Sequence, residues 1–294
     1  MKKTALFCIL SAGILWGSMG VFVRTLQNSY GFSPLHIVCL RLVFAALAFT
    51  ILALIRKTPA IKPRHIPLLF CTGVCGIMLL SVTYFLSMTY SSLSVAAILM
   101  YTAPAFVLIA SVILFKEKLT LHKICALILA FAGCVCVSGI SGGRANITAM
   151  GVFMGILSGI TYGSYSIFGT YALKKYDNFT VTTWAFVFAA LTALATCGTG
   201  EIISIISASP HPMHIIAISA AMGIFSAFAP FLLYTIGLSH TEASKAIIVA
   251  SVEPVVATLF GFFIFDETPD ILSIAGIVLI LSSVVLTSLN TKTS

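Results

Sequence analysis

Apolar runs of about twenty residues follow one another along almost the whole chain, roughly at 4–25, 33–55, 65–88, 92–115, 121–139, 149–172, 180–200, 211–237, 242–265 and 270–289. A helix of that length crosses the roughly 30 Å hydrocarbon layer of a bilayer. Inside that layer every backbone N–H and C=O must be bonded within the protein, which leaves helices as the only form for single runs of this kind. Ten runs in 294 residues predict an all-α integral membrane protein of ten transmembrane helices, with no soluble domain of useful size. The 8% charged content and mean hydropathy of +1.12 agree, since a soluble domain carries about 25% charged residues.

The few charges are not placed at random. Lys2/Lys3, Arg56/Lys57/Lys62/Arg64, Lys116/Lys118/Lys123, Lys174/Lys175 and Lys292 fall in alternate connections, whereas the opposite loops carry Arg24 and Arg144. By the positive-inside rule both termini are cytoplasmic, and the protein sits in the cell (inner, cytoplasmic) membrane. The net charge of +8 is spread over thin loops without a basic groove, which argues against a nucleic-acid partner. Lys2-Lys3 before an apolar run imitates a signal peptide, but the run is long and lacks a convincing small-residue cleavage site, so it reads as an uncleaved first helix. The eight cysteines all lie within the runs and form no Cys-x-x-Cys pair, so neither a metal site nor a disulfide framework is expected.

Residues 94–117 align without a gap against 244–267. Ser94/Ser244, Ala96/Ala246, Ile98/Ile248, Pro104/Pro254, Phe115/Phe265 and Glu117/Glu267 are identical, and the same offset pairs Gly73 with Gly223 and Tyr84 with Tyr234. The chain therefore reads as two five-helix units, 1–140 and 149–290, pivoting where Ser141-Gly142-Gly143-Arg144 interrupts the helical pattern. Five spans per unit is odd, so the second unit must be inverted, with Glu117 on the cytoplasmic side and Glu267 outside. Inverted repeats with a helix-breaking proline in mid-span mark the central site of a secondary transporter. Ser33-Pro34 and Thr268-Pro269 each read as a capping hydroxyl before a first-turn proline. Gly151, Gly155, Gly159 and Gly163 recur every fourth residue, and Gly13 with Gly17 echo them, giving ridges where another backbone can approach.

Charges inside apolar runs are costly and concentrate at functional positions. Three stand out: Arg41, Lys245 and Glu253. At 1.5 Å per residue, Arg41 lies about 12 Å and Glu253 about 18 Å from the outer ends of their runs, so an Arg41–Glu253 ion pair near the midplane is expected. The repeat mates of Glu253 and Lys245 are Ala103 and Val95, so both charges are additions to a helix that spans without them. Lys245, in the first turn of its run, is expected to reach the cytoplasmic surface. Pro104 and Pro254 free the carbonyls of Met100 and Ala250 and, with Gly159 and Gly163, are candidates for kinking and gating. Trp16, Ser18, Tyr84, Tyr101, Tyr162, Ser164, Tyr165, Trp184 and Tyr234 supply the apolar walls with scattered donors that a small-solute cavity needs.

Enzyme signals fail. Gly139-Ile140-Ser141-Gly142 has a Gly-x-Ser-Gly pattern at a loop end, but the six histidines all lie near helix ends and none is deep enough to serve as its base. No Gly-Lys dipeptide of a nucleotide-binding P-loop occurs. No cofactor and no obligate protein partner are implied; the expected partners are a small-molecule substrate and the lipid bilayer.

Leu15-Trp16-Gly17-Ser18, Arg41, Ala103-Pro104 with Lys116-Glu117, and Glu253-Pro254 with Asp266-Glu267-Thr268 together resemble the drug/metabolite transporter superfamily, EamA type, over essentially the whole chain. Tyr162-Gly163-Ser164 departs from the Trp-Gly pattern in the second unit. The resemblance implies a ten-helix basket with a central cavity, alternating access, and export or uptake of amino acids or similar metabolites. Glu253 and Lys245 are the candidates for ion coupling; an arginine beside Glu253 favours its ionised form, which points to facilitated diffusion or exchange. The competing readings are a receptor or scaffold that moves nothing, and uptake of a nucleotide-derived metabolite.

Overall fold

A computed structural model of the protein describes residues 2–58, 60–91, 93–138, 148–266 and 269–289. Among these the chain is all helical, and nine helical stretches are long and apolar enough to cross a membrane. The remaining expected run, the fifth at 121–139, forms a 17-residue helix, Leu121–Val137, at the lower limit for a span. The Gly-x-Ser-Gly stretch, the pivot around 140–147, Glu267, Thr268 and Lys292 lie outside the described residues.

The first stretch is broken into α1 (Lys2–Gly17) and α2 (Met19–Tyr30). The Ser18 hydroxyl at the break donates back to the Leu15 carbonyl at 2.7 Å. Gly31, at φ 70°, ends α2 in the left-handed conformation that a side chain would resist. This first stretch runs further than expected, so Arg24 is not in a loop: it sits on α2, with its guanidinium 4.5 Å from the ring centre of Phe265. α3 (Pro34–Ile55) opens as expected, with Ser33 Oγ accepting from His36 N at 3.3 Å and proline in the first turn.

The third stretch consists of α4 (Ile66–Gly73), a π-helical turn (Val74–Met78) and α5 (Leu79–Tyr90). The fourth is split into α6 (Leu93–Met100) and α7 (Ala103–Phe115), followed by α8 (Leu121–Val137). The second unit begins with α9 (Ala149–Leu173) and α10 (Asn178–Thr196). Asp177 caps α10, its side chain accepting from Thr180 N at 2.9 Å. A separate ten-residue helix, α11 (Thr199–Ala208), follows. The apolar pattern predicts a seventh run to residue 200, but Gly198 at φ 67° turns the chain before that. Next come α12 (Pro212–Gly223), a π-helical turn (Ile224–Phe228) and α13 (Ala229–Leu238). The last three helices are α14 (Ala243–Ala250), α15 (Glu253–Phe265) and α16 (Ile271–Leu289).

The units repeat irregularities as well as helices. Both π turns and both proline breaks recur at a spacing of 150 residues, read from the starts of the paired elements. Packing then crosses between units: α1 lies along α13, α14 and α15, while α9 lies along α5, α6 and α7, and α8 pairs with α16. The small-residue ridges make this possible. A Cβ on Gly17 would stand 2.6 Å from Val256 Cβ and 2.8 Å from the Glu253 carbonyl, and one on Gly159 would stand 2.5 Å from Thr102 Oγ1 and 2.9 Å from the Leu99 carbonyl. Each ridge thus lets a helix of one unit press onto the broken helix of the other, so the breaks end up side by side in the middle of the molecule.

Candidate functional site

The second break carries the central group. α14 ends at Ala250, two residues turn, and α15 restarts with Glu253 and Pro254 in its first turn. The proline has no N–H to leave unbonded there, and the carboxylate sits at the positive end of the α15 dipole. Tyr162, on α9, donates its hydroxyl to Glu253 Oε2 at 3.4 Å. Tyr84 on α5, Tyr101 at the first break and Cys134 on α8 all lie within electrostatic range of Glu253.

Arg41 reaches the same region from α3. Its guanidinium is buried at 8% exposure and donates from Nη2 to the Ser226 carbonyl at 2.6 Å. Ser226 lies in the π turn between α12 and α13, where the widened backbone pattern releases carbonyls from the ordinary i to i−4 ladder. The expected direct ion pair is not formed: Arg41 takes the backbone carbonyl and Glu253 takes Tyr162, with the two charges still within electrostatic range. The expectation matched their depths but could not include the π turn that intercepts the arginine. Arg41 Nε is buried without a hydrogen-bond partner.

Trp16 closes one side. Its ring, at the end of α1, packs on Phe231 at 5.0 Å, Tyr234 at 5.4 Å and Tyr162 at 6.4 Å between centres, and its Nε1–H is buried with no partner. Behind it, Tyr234 bonds Ser166 at 2.7 Å and Tyr165 bonds Thr235 at 2.6 Å, riveting α9 to α13. Trp16, Arg41, Tyr84, Tyr101, Tyr162 and Glu253 therefore converge, with Tyr165 and Tyr234 as their support.

Other residues singled out in the sequence lie elsewhere. Ser18 bonds only within its own turn. Ser164 donates to the Ile160 carbonyl and lines a shallow apolar groove with Phe106 and Phe168. Trp184 packs with Phe188 in a separate cluster with Leu69 and Ala172. Lys245 does not reach free solvent; its side chain is 11% exposed and pairs with Glu242 at 2.9 Å. Pro104 and Pro254 split their helices outright, and Gly159 and Gly163 face the first break. Sequence reasoning missed Phe231, Ser226 and Cys134. The offset of Ser226 from the repeated Gly223 was the available signal, because a π turn leaves no mark in hydropathy.

Comparison with known proteins places this geometry in context. The model of the EamA-like transporter family matches residues 3–139 and again 149–289. An "Uncharacterized transporter" of Archaeoglobus fulgidus is 30% identical over 249 residues, covering 85% of this chain and 86% of its own. The "Uncharacterized transporter YdfC" of Bacillus subtilis is 23% identical, covering 98% and 93%. The "Uncharacterized inner membrane transporter YicL" of Salmonella typhimurium is 22% identical, covering 97% and 95%. A solved crystal structure superimposes with a TM-score of 0.80 at 18% identity, covering 97% of this chain and 98% of the other, a likeness that speaks for the fold alone.

Proposed function

The chain belongs to the EamA-like transporter family and is a multi-pass membrane transporter, and from that premise we propose a secondary transporter that exports a small zwitterionic metabolite, an amino acid or related compound, by alternating access. The observation that carries the proposal is the half-buried carboxylate Glu253 at a proline break, with a buried arginine in electrostatic range and two unpartnered donors, Arg41 Nε and Trp16 Nε1. A substrate ammonium fits Glu253, a substrate carboxylate fits the two donors, and the Trp16, Tyr162 and Phe231 rings fit an apolar side chain. Such a site is apolar with few convergent polar groups, as small-molecule sites are.

Ten crossing helices in two inverted units, 1–140 and 149–290, are part of this reading, with α8 as the short fifth span. Support for inversion comes from the end of α7: Glu117 beyond it accepts from Ala243 N at the start of α14 at 3.1 Å, the contact expected of two homologous broken helices that run in opposite directions. Both termini are then cytoplasmic and the membrane is the inner one. Exchange or facilitated diffusion is the favoured energetics, because Lys245 is engaged by Glu242 away from Glu253.

Proteoliposome counterflow tests the proposal. Labelled amino acids are expected to exchange through the wild-type protein and to fail through Glu253→Gln. Counterflow only of nucleotide-derived metabolites would replace the substrate class. No counterflow of either, from protein that is monodisperse and folded, would overturn transport of these classes in favour of a receptor or scaffold. Flux that tracks an imposed pH gradient and vanishes in Glu253→Gln would replace exchange with proton coupling.

A further inference from the structure

Away from the central cluster, four charged side chains from three segments are gathered where water is largely excluded. Lys116, in the left-handed conformation at φ 56°, ends α7 and turns the chain. Glu117 then faces the other unit, where its carboxylate accepts from Ala243 N at 3.1 Å and from the Ser244 hydroxyl. These are the first two residues of α14, so Glu117 caps a helix of the opposite unit at its positive end. Lys123, in the first turn of α8, gives its ammonium to Glu117 at 2.9 Å and to Glu242 at 3.2 Å; Lys245 holds Glu242 from the other side at 2.9 Å. The Lys123 and Glu117 side chains are only 6% and 8% exposed. Buried charges of this kind are stable only as a set, because removing one partner strands the other in a poorly solvated place.

The sequence makes this arrangement one-sided. At the 150-residue offset, Glu117 and Ser244 keep identical mates, Glu267 and Ser94, whereas Lys123, Glu242 and Lys245 are matched by Ser273, Ser92 and Val95. In sequence, the carboxylate and the serine recur in both units; the two lysines and the second carboxylate have no charged mate. In a cycle that opens each end in turn, the junction between α7 and α14 has to part whenever this end opens.

We propose that Glu117, Lys123, Glu242 and Lys245 form an ionic latch that holds this end shut at rest, so that the substrate-free transporter faces the opposite side. The latch rests on the alternating-access reading above and assigns the closed end to a specific set of contacts. Lys123 is its keystone: of the two lysines in the set, it is the one that touches carboxylates of both units.

Full-length protein in lipid nanodiscs, carrying genetically encoded spin labels at the exposed positions Leu119 and His240, reports the separation across the junction without substrate. Wild type and Lys123→Arg are expected to give one short distance. Lys123→Met is expected to add a longer one, with an about tenfold rise in the ratio of long to short. Should Lys123→Met not yield folded protein, Glu242→Gln, at the most exposed member of the set, takes its place with the same expectation. Unchanged distance distributions in these variants overturn the latch. The outcome is separable from transport itself: unchanged distances with intact counterflow sink the latch alone, and a lengthened junction without counterflow of any metabolite sinks the transport reading alone.

Discussion

The two proline breaks have nearly the same backbone and opposite chemistry. In the first, Tyr101 N bonds the Ala97 carbonyl at 3.0 Å and Thr102 N the Leu99 carbonyl at 3.2 Å; in the second, Ser251 N bonds Ile248 at 3.2 Å and Val252 N bonds Val249 at 3.4 Å. Each is approached by a glycine-lined helix of the other unit. Yet the residue before the proline is Ala103, fully buried, in one and Glu253 in the other. The π turns diverge in the same way: Ser226 in the second offers its carbonyl to Arg41, while Gly76 in the first is packed against the Tyr165 backbone. The two copies thus share a scaffold of broken helices, and the carboxylate stands on the second break alone. The break is the architectural element, and the carboxylate on it is the specific one.

If that division of labour holds, substitutions at equivalent positions have unequal effects. Glu253→Gln should weaken substrate binding by about 2–5 kcal/mol, the usual cost of removing one member of a buried charged contact, and counterflow should fall to background. Ala103→Ser should change counterflow by less than about threefold, well under the 1.4 kcal/mol that a tenfold change represents. Equal losses at the two positions would break the comparison. A double-mutant cycle with Arg41→Gln and Glu253→Gln sharpens it further. Because the two charges interact without touching, their coupling should lie near the lower end of the roughly 0.5–3 kcal/mol range for interacting residues; a value near the top would mean that they meet directly during the cycle.

The glycine ridges allow a second comparison, read as stability. Gly17→Ala drives a methyl group against Val256 Cβ at 2.6 Å, a branched carbon that cannot swing aside, whereas at Gly159 the nearest atom is the rotatable Thr102 hydroxyl at 2.5 Å, with the Leu99 carbonyl behind it. Overpacking of this type costs about 1–3 kcal/mol, with Gly17→Ala expected at the high end and Gly159→Ala below it. Gly20→Ala meets nothing within 4 Å and should gain up to about 1 kcal/mol from helix propensity. Melting temperatures in detergent rank the three; Gly17→Ala melting at or above wild type would refute the close-approach reading.

Much of this was legible before any coordinates. Apolar run lengths located the helices, the gap-free alignment of 94–117 with 244–267 located both breaks, and the cost of burying charge singled out Arg41 and Glu253. Partnering was not legible. Whether Arg41 meets Glu253 depends on the Ser226 carbonyl, which a π turn exposes without any change in hydropathy. Lys245 read as a free interfacial lysine because its partner Glu242 is the first residue of the same run, where a charge looks like an ordinary flank. The Lys123–Glu117 contact was hidden because both residues sit at helix ends, where charges look like ordinary flanks. Trp184 and Ser164 have the residue types of a cavity wall but face away from it, since periodicity in a uniformly apolar helix does not say which side is inside.

The smallest expected effect is the dependence of the latch on pH. Burial pushes the Glu242 carboxyl up, but hydrogen bonding to Lys245 and the charges of Lys123 and Lys245 together bring it below its ordinary value of 4.5. Glu117, on the far side of Lys123, is the other carboxylate of the set. A carboxylate whose value is depressed in the closed state strengthens closure above its open-state value and gives that contribution up as pH falls through the closed-state one. Closure is therefore expected to be level between pH 8 and pH 6, with the long distance between labels at Leu119 and His240 rising only below 4.5. The symmetry-related junction, where Ser92, Val95 and Ser273 stand in place of the charged trio, lacks that trio in sequence. A junction that opened between pH 8 and pH 6 would show that some group other than Glu242 governs it, and the ionic asymmetry between the two ends would lose its role in setting the resting state.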